Sequence, residues 1–217
     1  MKQLFFAFIC MSSLSVQAQF IEPTDFNPSF VKDLTVIDTA GKSYTGEISK
    51  MKEKKQLVKE FTIKTKDGEK FEFTPDMVKV IYARASTVSR LSALNNATIA
   101  RVEKNKLSKK KDTIVFEGVK DTDGDFILLQ VVNPGYDSKI KVYANPTAGK
   151  TTSWTGFDGG LDRSFYVSKN GEPVFKLVKK DMKEKFALLF DDCASLKDKS
   201  KNWESFDNYI EEYDTCK

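Results

Sequence analysis

The chain is built from short apolar segments that alternate with turn residues, and this pattern limits the fold more than any other feature. Each segment has the length of a β-strand and is too short for a stable helix. Asp67-Gly68 and Asn170-Gly171 are turn pairs that accept the positive φ angles of a tight hairpin. The pattern therefore predicts antiparallel strands in a strongly bent sheet or a small barrel. The strand-like segments are 34–37, 44–48, 57–65, 71–73, 79–82, 113–118, 126–132, 139–143, 164–168 and 174–178.

The last part of the chain changes from a strand period to a helical period. Apolar residues at helical spacing form one stripe in 182–193 and a second in 203–216. Asp181 and Glu184 have the spacing of a capping box before the first stripe, and Asn202 is a typical N-cap before the second. The sequence therefore predicts two antiparallel helices.

These patterns divide the chain into three parts. Residues 1–18 have the pattern of a signal peptide, 19–178 form a β-rich body, and 179–217 form a C-terminal helical hairpin packed on that body. An internal boundary of the body falls near 84–112, where the periodicity is irregular. The predicted fold class is α+β, with an antiparallel sheet or small barrel-like body and the helical hairpin at its end.

The N-terminal segment predicts export from the cytoplasm. Lys2 provides a short positive region, 4–11 is apolar, and Val16-Gln17-Ala18 matches a signal-peptidase site, so the mature chain is expected to begin at Gln19. No later segment approaches the ~20 apolar residues of a transmembrane helix. We therefore expect a periplasmic, cell-surface or secreted protein without a transmembrane segment.

The composition excludes several functional classes. Removal of 18 of the 217 residues leaves 199, with 34 basic and 31 acidic side chains, and this even balance argues against a nucleic-acid partner. The chain contains no histidine. Ser-His-Asp and Cys-His catalysis and His-ligated zinc are therefore excluded, and any catalysis would rest on carboxylates, lysine, tyrosine or main-chain groups.

Two cysteines remain after processing, because Cys10 lies in the predicted signal peptide. Cys193 and Cys216 lie at the ends of the two helical stripes, and an exported chain with an even number of cysteines is expected to be oxidised. A disulfide between them would close a loop of about twenty residues and stabilise the helical pair by roughly 3 kcal/mol.

Several short motifs follow one another along the chain. They are Gly46-Glu47-Ile48, Asp67-Gly68, Thr74-Pro75-Asp76, 127–132, 141–143, 166–172, Phe186 through Asp192-Cys193, 209–213 and Cys216. In this layout the chain resembles a group of exported Bacteroidetes proteins that have no established activity, over about two-thirds of the mature chain. The resemblance implies export and a paired C-terminal cysteine arrangement. The chain departs from the group in a longer 145–162 loop and a basic run at 104–111.

The same resemblance implies O-glycosylation. Asp38-Thr39-Ala40 and Asp112-Thr113-Ile114 match the Asp-Ser/Thr-aliphatic sequence that such bacteria modify, with Thr39 and Thr113 as acceptors. The alternative interpretation is that both are ordinary Asp-Thr turns at strand starts.

The strongest candidate site by sequence is the loop between Asn145 and Asp162. Long loops without secondary structure are often functional, and aromatic faces bind sugars. We take Trp154, Phe157, Asp158 and Asp162, together with Tyr143 before the loop, as candidate ligand-binding residues. The alternative is that Trp154 folds back to cover the sheet.

Two further motifs resemble a nucleotide-binding loop and a calcium-binding loop, but each lacks a feature that such a site needs. Ala144 to Thr151 fits a relaxed P-loop, but Pro146 removes an amide from the phosphate cradle and no helix pattern follows. Asp121 to Asp125 resembles a calcium loop, but its glycine is one place early and Val132 stands where a bidentate glutamate is needed. We expect a hairpin turn at 121–125, and neither a cofactor nor a metal.

These observations favour a non-catalytic envelope or secreted protein that binds a glycan or an envelope component, or that has a structural role. The alternative functions are a carboxylate-dependent glycan hydrolase, using Asp158 and Asp162, and an accessory factor in outer-membrane protein assembly. The sequence does not indicate the oligomeric state.

Overall fold

A computed structural model describes residues 20–87, 113–146 and 164–216. Ten strands in these ranges form one antiparallel sheet, followed by two C-terminal helices, and this confirms the predicted α+β class. The predicted signal peptide 1–18 and most of the irregular region 84–112 lie outside the described residues. The strands are β1 (Val31–Asp38), β2 (Ser43–Lys54), β3 (Leu57–Lys64), β4 (Lys70–Phe73), β5 (Val78–Ala85), β6 (Thr113–Lys120), β7 (Phe126–Val131), β8 (Ile140–Ala144), β9 (Phe165–Lys169) and β10 (Phe175–Leu177).

The sheet consists of two consecutive meanders. Its strand order is β10-β9-β8-β7-β6-β5-β1-β2-β3-β4, so β1 to β4 form one meander and β5 to β10 the other. The two are joined where β1 pairs with β5, through partners such as Val36 and Ile81. Of the two predicted forms, the structure has the open sheet and not the closed barrel.

The predicted hairpin turns are present with the required backbone angles. Gly68 has a φ of 88° between β3 and β4, and Asn170 and Gly171 have φ values of 53° and 80° after β9. Asp121 begins the β6–β7 turn, where its Oδ1 accepts hydrogen bonds from the amides of Asp123 and Asp125 at 3.0 and 2.9 Å. The prediction of a hairpin turn at 121–125 is therefore confirmed.

The sheet curls strongly at β6. A Cβ atom at Gly118 would lie 2.0 Å from the carbonyl oxygen of Pro75 and 2.5 Å from that of Val78, so the chain entering β5 rests directly on the β6 backbone. At the end of β6, an isolated parallel bridge pairs Asp121 with Val174. The end of β6 thereby reaches the segment that leads into β10.

Strand β7 is the centre of the packing because both of its faces are buried. Every residue from Ile127 to Val131 is buried. Leu128 packs with the β1–β6 core on one face, which we call the first face. Ile127, Leu129 and Val131 pack with Tyr143 and Val174 on the opposite, second face.

An N-terminal strap, Phe20–Phe26, crosses the first face and joins two hydrophobic clusters. The ring of Phe26 is fully buried 5.1 Å from Phe61 and 4.9 Å from Phe116, between ring centroids. At the other end, the ring of Phe20 lies 5.1 Å from Phe165 and 5.6 Å from Phe206. The strap therefore contacts the core of the first meander and the core beneath the helices.

Gln130 of β7 binds the middle of the strap. Its side chain is fully buried, its Oε1 accepts the Thr24 amide at 2.6 Å, and its Nε2 donates to the Glu22 carbonyl at 3.2 Å. The Ile21 amide donates to the Val132 carbonyl at 2.7 Å. A buried polar side chain is thus satisfied by an extended segment more than a hundred residues away in sequence.

The two helices are α1 (Met182–Phe190) and α2 (Phe206–Thr215), and they cover the first face of β8 to β10. The predicted Cys193–Cys216 disulfide is confirmed, with a Cα–Cα distance of 5.9 Å. It joins residues that follow the C-terminal ends of both helices. The predicted pair of C-terminal helices is therefore confirmed.

One predicted cap is present and one is absent. Asn202 accepts the Glu204 amide at 3.1 Å and caps the 3₁₀ turn that leads into α2. Asp181 makes no side-chain cap hydrogen bond, so the predicted capping box with Glu184 is wrong. Asp181 already has helical backbone angles because a 3₁₀ turn precedes α1, whereas a capping side chain needs an extended residue.

Within the residues that the structure describes, every helix is too short or too polar to cross a membrane.

The contact at Gly118 predicts an unusual sensitivity to a single methyl group. Gly118→Ala forces the added Cβ against two backbone carbonyls, and we expect a loss of about 3 kcal/mol in the free energy of unfolding. Gly171→Ala is the matched control, because its Cβ meets no atom within 4 Å and only the φ of 80° opposes it, at about 1 kcal/mol. Urea unfolding measures both, and equal losses would contradict the close approach.

Candidate functional site

The second face of the sheet holds a cavity of about 520 Å³ over strands β6, β8 and β9. Its wall combines apolar side chains with charged groups of both signs. The volume lies within the range of small-molecule binding sites. The lining residues are Val119, Lys120, Asp137, Ser138, Lys139, Lys141, Tyr143, Ser168, Gly171, Glu172, Pro173 and Val174.

A cluster of three polar side chains, Glu117, Lys141 and Tyr143, lies at this cavity. The Tyr143 hydroxyl donates to Glu117 Oε2 at 2.8 Å. Lys141 Nζ donates to Glu117 Oε1 at 3.0 Å and to Oε2 at 3.3 Å. Asp137 Oδ2 lies 3.8 Å from the same Nζ, so one ammonium group faces two carboxylates. We call Glu117, Lys141 and Tyr143 the polar triad.

Strand alternation places the polar triad on the second face. Phe116 faces the core of the first face, so its neighbour Glu117 faces the other way. Tyr143 is paired with Val131 across the β7–β8 ladder and packs in the same cluster of the second face. Lys141 lies two residues before Tyr143 and so shares its face.

The polar triad is largely withdrawn from water. Tyr143 is 4% exposed, and the side chains of Lys141 and Glu117 are 30% and 20% exposed. Burial, followed by the neighbouring charge of Glu117, raises the pKa of Tyr143 well above its ordinary value. Tyr143 therefore stays neutral and acts as a fixed hydrogen-bond donor to Glu117.

The arrangement of the polar triad suits recognition better than reaction. The three side chains hold one another in place, and Lys141 and Asp137 keep part of their hydrogen-bonding capacity for a ligand in the cavity. The wall contains both lysines and carboxylates, which matches a ligand with several hydroxyl groups or with both charges. No group of three or more acidic or cysteine side chains within 20–87, 113–146 and 164–216 is placed to hold a metal ion.

Of the residues proposed from sequence, Tyr143 lies in this site. Trp154, Phe157, Asp158 and Asp162 lie outside the described residues, so their relation to the cavity stays a prediction. Glu117 and Lys141 were not predicted. Each occupies an alternating position of a strand, where a charged side chain normally faces solvent, and only the curl of the sheet encloses them.

The predicted O-glycosylation acceptors are both accessible. Thr39 is exposed in the β1–β2 turn, and its amide donates to the Met77 carbonyl at 3.1 Å. Thr113 is the exposed first residue of β6. Modification of either residue remains a prediction.

A second cavity of about 640 Å³ lies beside β1 and β5. It is lined by Lys32 and Arg84, which are cross-strand partners, and Arg84 forms an exposed ion pair with Asp33. Both side chains of that pair are about half exposed or more, so solvent screens their charges. The cavity with the polar triad is therefore the stronger candidate.

Comparisons of the chain with protein-family models, with curated proteins and with solved structures give no match.

The raised pKa of Tyr143 predicts a specific loss of stability at high pH. A tyrosine whose pKa is higher in the folded state contributes full stability below its unfolded value of about 10, and this contribution is lost as pH rises above that value. Tyr143→Phe removes one such group. The decline above pH 10 should become shallower by up to about 1.4 kcal/mol per pH unit.

Urea unfolding between pH 8 and 11.5 measures this decline. Tyr82→Phe is the control for the loss of one tyrosine hydroxyl, because Tyr82 is 43% exposed on β5. Tyr136 and Tyr166 also have pKa values raised by burial, so part of the decline should remain in Tyr143→Phe. An unchanged slope in Tyr143→Phe would show that this phenol is open to solvent.

Proposed function

We propose that the protein is exported and acts by binding, without catalysis, in the cell envelope or outside the cell. Its ligand is a glycan or another polar component of the envelope, held in the cavity of the second face. The observation that carries this proposal is the polar triad, in which Glu117 holds Lys141 and Tyr143 in place at the wall of a cavity of ligand size.

A saccharide fits the chemistry of this wall. Sugar hydroxyls donate and accept hydrogen bonds, and Lys141, Asp137 and Glu172 offer both kinds of partner around one space. Val119 and Val174 supply apolar surface for the C–H faces of a ring. Because the charges of the wall nearly balance, a strongly anionic or cationic ligand is less well matched.

The geometry favours binding over hydrolysis. A glycosidase needs one carboxyl group protonated as its general acid while the second remains ionised. Here Glu117 accepts hydrogen bonds from Lys141 and Tyr143, and Asp137 lies 3.8 Å from the same Lys141 Nζ, so both carboxyl groups already have a partner. Hydrolysis by Asp158 and Asp162 and a role in outer-membrane protein assembly remain the alternatives.

Export is supported by two independent features. The first 18 residues carry the pattern of a signal peptide. The disulfide between Cys193 and Cys216 is typical of proteins that mature in an oxidising compartment. The absence of histidine excludes Ser-His-Asp and Cys-His catalysis.

Binding is tested on a glycan array with wild type and Lys141→Met. We expect at least a tenfold loss of affinity for any glycan that wild type binds, because the variant loses the central donor and leaves Glu117 with one partner. Lys176→Met is the matched control, since Lys176 is exposed on the short strand β10. Equal affinities of wild type and Lys141→Met would place the ligand elsewhere. If wild type hydrolyses a glycan and Asp158→Asn or Asp162→Asn does not, the protein is a hydrolase and the proposal of a non-catalytic binding protein is wrong.

Export is tested by cell fractionation and by sequencing the N-terminus of the purified protein. We expect the protein outside the cytoplasm with Gln19 as its first residue. Ala18→Arg is the control for processing, because a large charged residue at this position blocks signal peptidase. Recovery of the wild-type chain with Met1 in the cytoplasmic fraction would contradict export.

Co-purification under mild crosslinking with an outer-membrane assembly complex would favour the accessory role.

A further inference from the structure

One wall of the cavity is formed by the turn between β7 and β8, which we call the pocket turn (Asn133–Lys139). Asp137, Ser138 and Lys139 of this turn line the cavity, and Asp137 faces Lys141 of the polar triad. The position of the pocket turn therefore determines the width of the cavity. It also determines whether the Asp137 carboxylate lies close to Lys141.

The base of the pocket turn is held by the sheet itself. Asn133 is fully buried, and its Nδ2 donates to the Tyr136 carbonyl at 3.0 Å and to the Ile140 carbonyl at 2.9 Å. Its Oδ1 accepts the Val142 amide at 2.8 Å. These bonds fix where the turn leaves β7 and enters β8, but they do not reach its tip.

The tip of the pocket turn is held by the C-terminal end of α2. The amide of Ser138 donates to Asp214 Oδ1 at 2.9 Å, and the Ser138 hydroxyl donates to the same oxygen. Lys139 Nζ donates to the carbonyls of Tyr213, at 3.3 Å, and Cys216. A lysine at this position satisfies the last carbonyls of the helix and matches the negative end of its dipole.

The body of α2 has a second attachment that does not depend on the disulfide. The Tyr213 hydroxyl donates to Asp192 Oδ2 at 2.6 Å, and Lys169 Nζ donates to Asp192 Oδ1 at 2.9 Å. Asp214 and Cys216 lie beyond this attachment. Among the described residues, their long-range hydrogen bonds go to the pocket turn, and Cys216 also forms the disulfide to Cys193 and packs against the core beneath the helices.

We propose that the Cys193–Cys216 disulfide controls the shape of the binding cavity by holding the C-terminal end of α2 against the pocket turn. The disulfide form has an ordered wall, with Asp137 beside Lys141. The dithiol form keeps α2 docked through Tyr213, whose carbonyl still accepts Lys139. It frees Asp214 and Cys216, and this loosens the pocket turn at Ser138. The claim that the disulfide regulates ligand binding rests on the function proposed above. The ordering of the pocket turn by the disulfide can be measured without any ligand.

The conversion is an ordinary thiol–disulfide exchange with an external dithiol. The Sγ–Sγ bond of Cys193 and Cys216 breaks and two S–H groups form, while the external dithiol loses two electrons and two protons and becomes a disulfide. A chain that has not yet been oxidised thus lacks the finished cavity. The cavity is completed only in a compartment that forms disulfides.

The test is amide hydrogen exchange of the full mature chain, measured by mass spectrometry before and after reduction with dithiothreitol. We expect exchange in peptides covering 134–141 to become at least tenfold faster on reduction, with exchange in β1 and β2 unchanged. Labelling of both thiols confirms that reduction is complete. Unchanged exchange of 134–141 in the fully reduced protein would overturn the proposal.

A variant with an intact disulfide covers the case in which reduction unfolds the whole chain. Asp214→Ala removes the acceptor of both Ser138 bonds and should give the same local acceleration without reduction. Asp198→Ala is the control, an exposed acidic residue in the connection between the helices. Normal protection of 134–141 in Asp214→Ala would show that the helix end does not hold the turn.

A second readout separates this proposal from the proposed function. For a glycan that binds the oxidised wild type, affinity should fall at least fivefold on reduction and in Asp214→Ala. Equal affinity in both redox forms would overturn the coupling while leaving the binding function intact. Faster exchange without binding of any glycan would refute the proposed ligand class and leave the control of the cavity shape established.

Discussion

The burial of β7 on both faces is the constraint on which the rest of the structure depends. A strand in that position needs apolar cover on each side, and the chain supplies it from different regions: the strap and the first meander on one face, and the curled second half of the sheet on the other. Gln130 is the exception among its apolar neighbours, and its amide group is satisfied only because the strap lies across it. The burial of β7 therefore depends on the strap, and the strap in turn is held in place by β7.

The curl that covers the second face also creates the candidate site. Charged groups are rarely withdrawn from water unless they are paired, and Glu117 receives both a lysine and a tyrosine donor. Such mutual support fixes the side chains before any ligand arrives, which lowers the entropy that binding must overcome. The same fixed pairing leaves no free acid or base for catalysis within the polar triad.

Much of the fold follows from local sequence, whereas the site does not. The strands, the turns at Gly68 and Gly171 and the disulfide were predictable because alternation, turn chemistry and cysteine pairing act over short distances or through few candidates. Glu117 and Lys141 look like ordinary solvent-facing strand residues, and nothing local shows that the sheet curls around them. The capping box at Asp181 failed because a preceding 3₁₀ turn moved the start of the helical geometry upstream.

The N-terminal strap also determines the order in which the molecule can be completed. Phe26 is at the centre of the first hydrophobic cluster, yet its amide donates to the Pro146 carbonyl, and Gln130 of β7 binds the middle of the strap. The strap thus waits for partners that are synthesised more than a hundred residues later. Contacts of such long sequence separation slow folding. The strap therefore reaches its final position only after β7 and Pro146 have been synthesised.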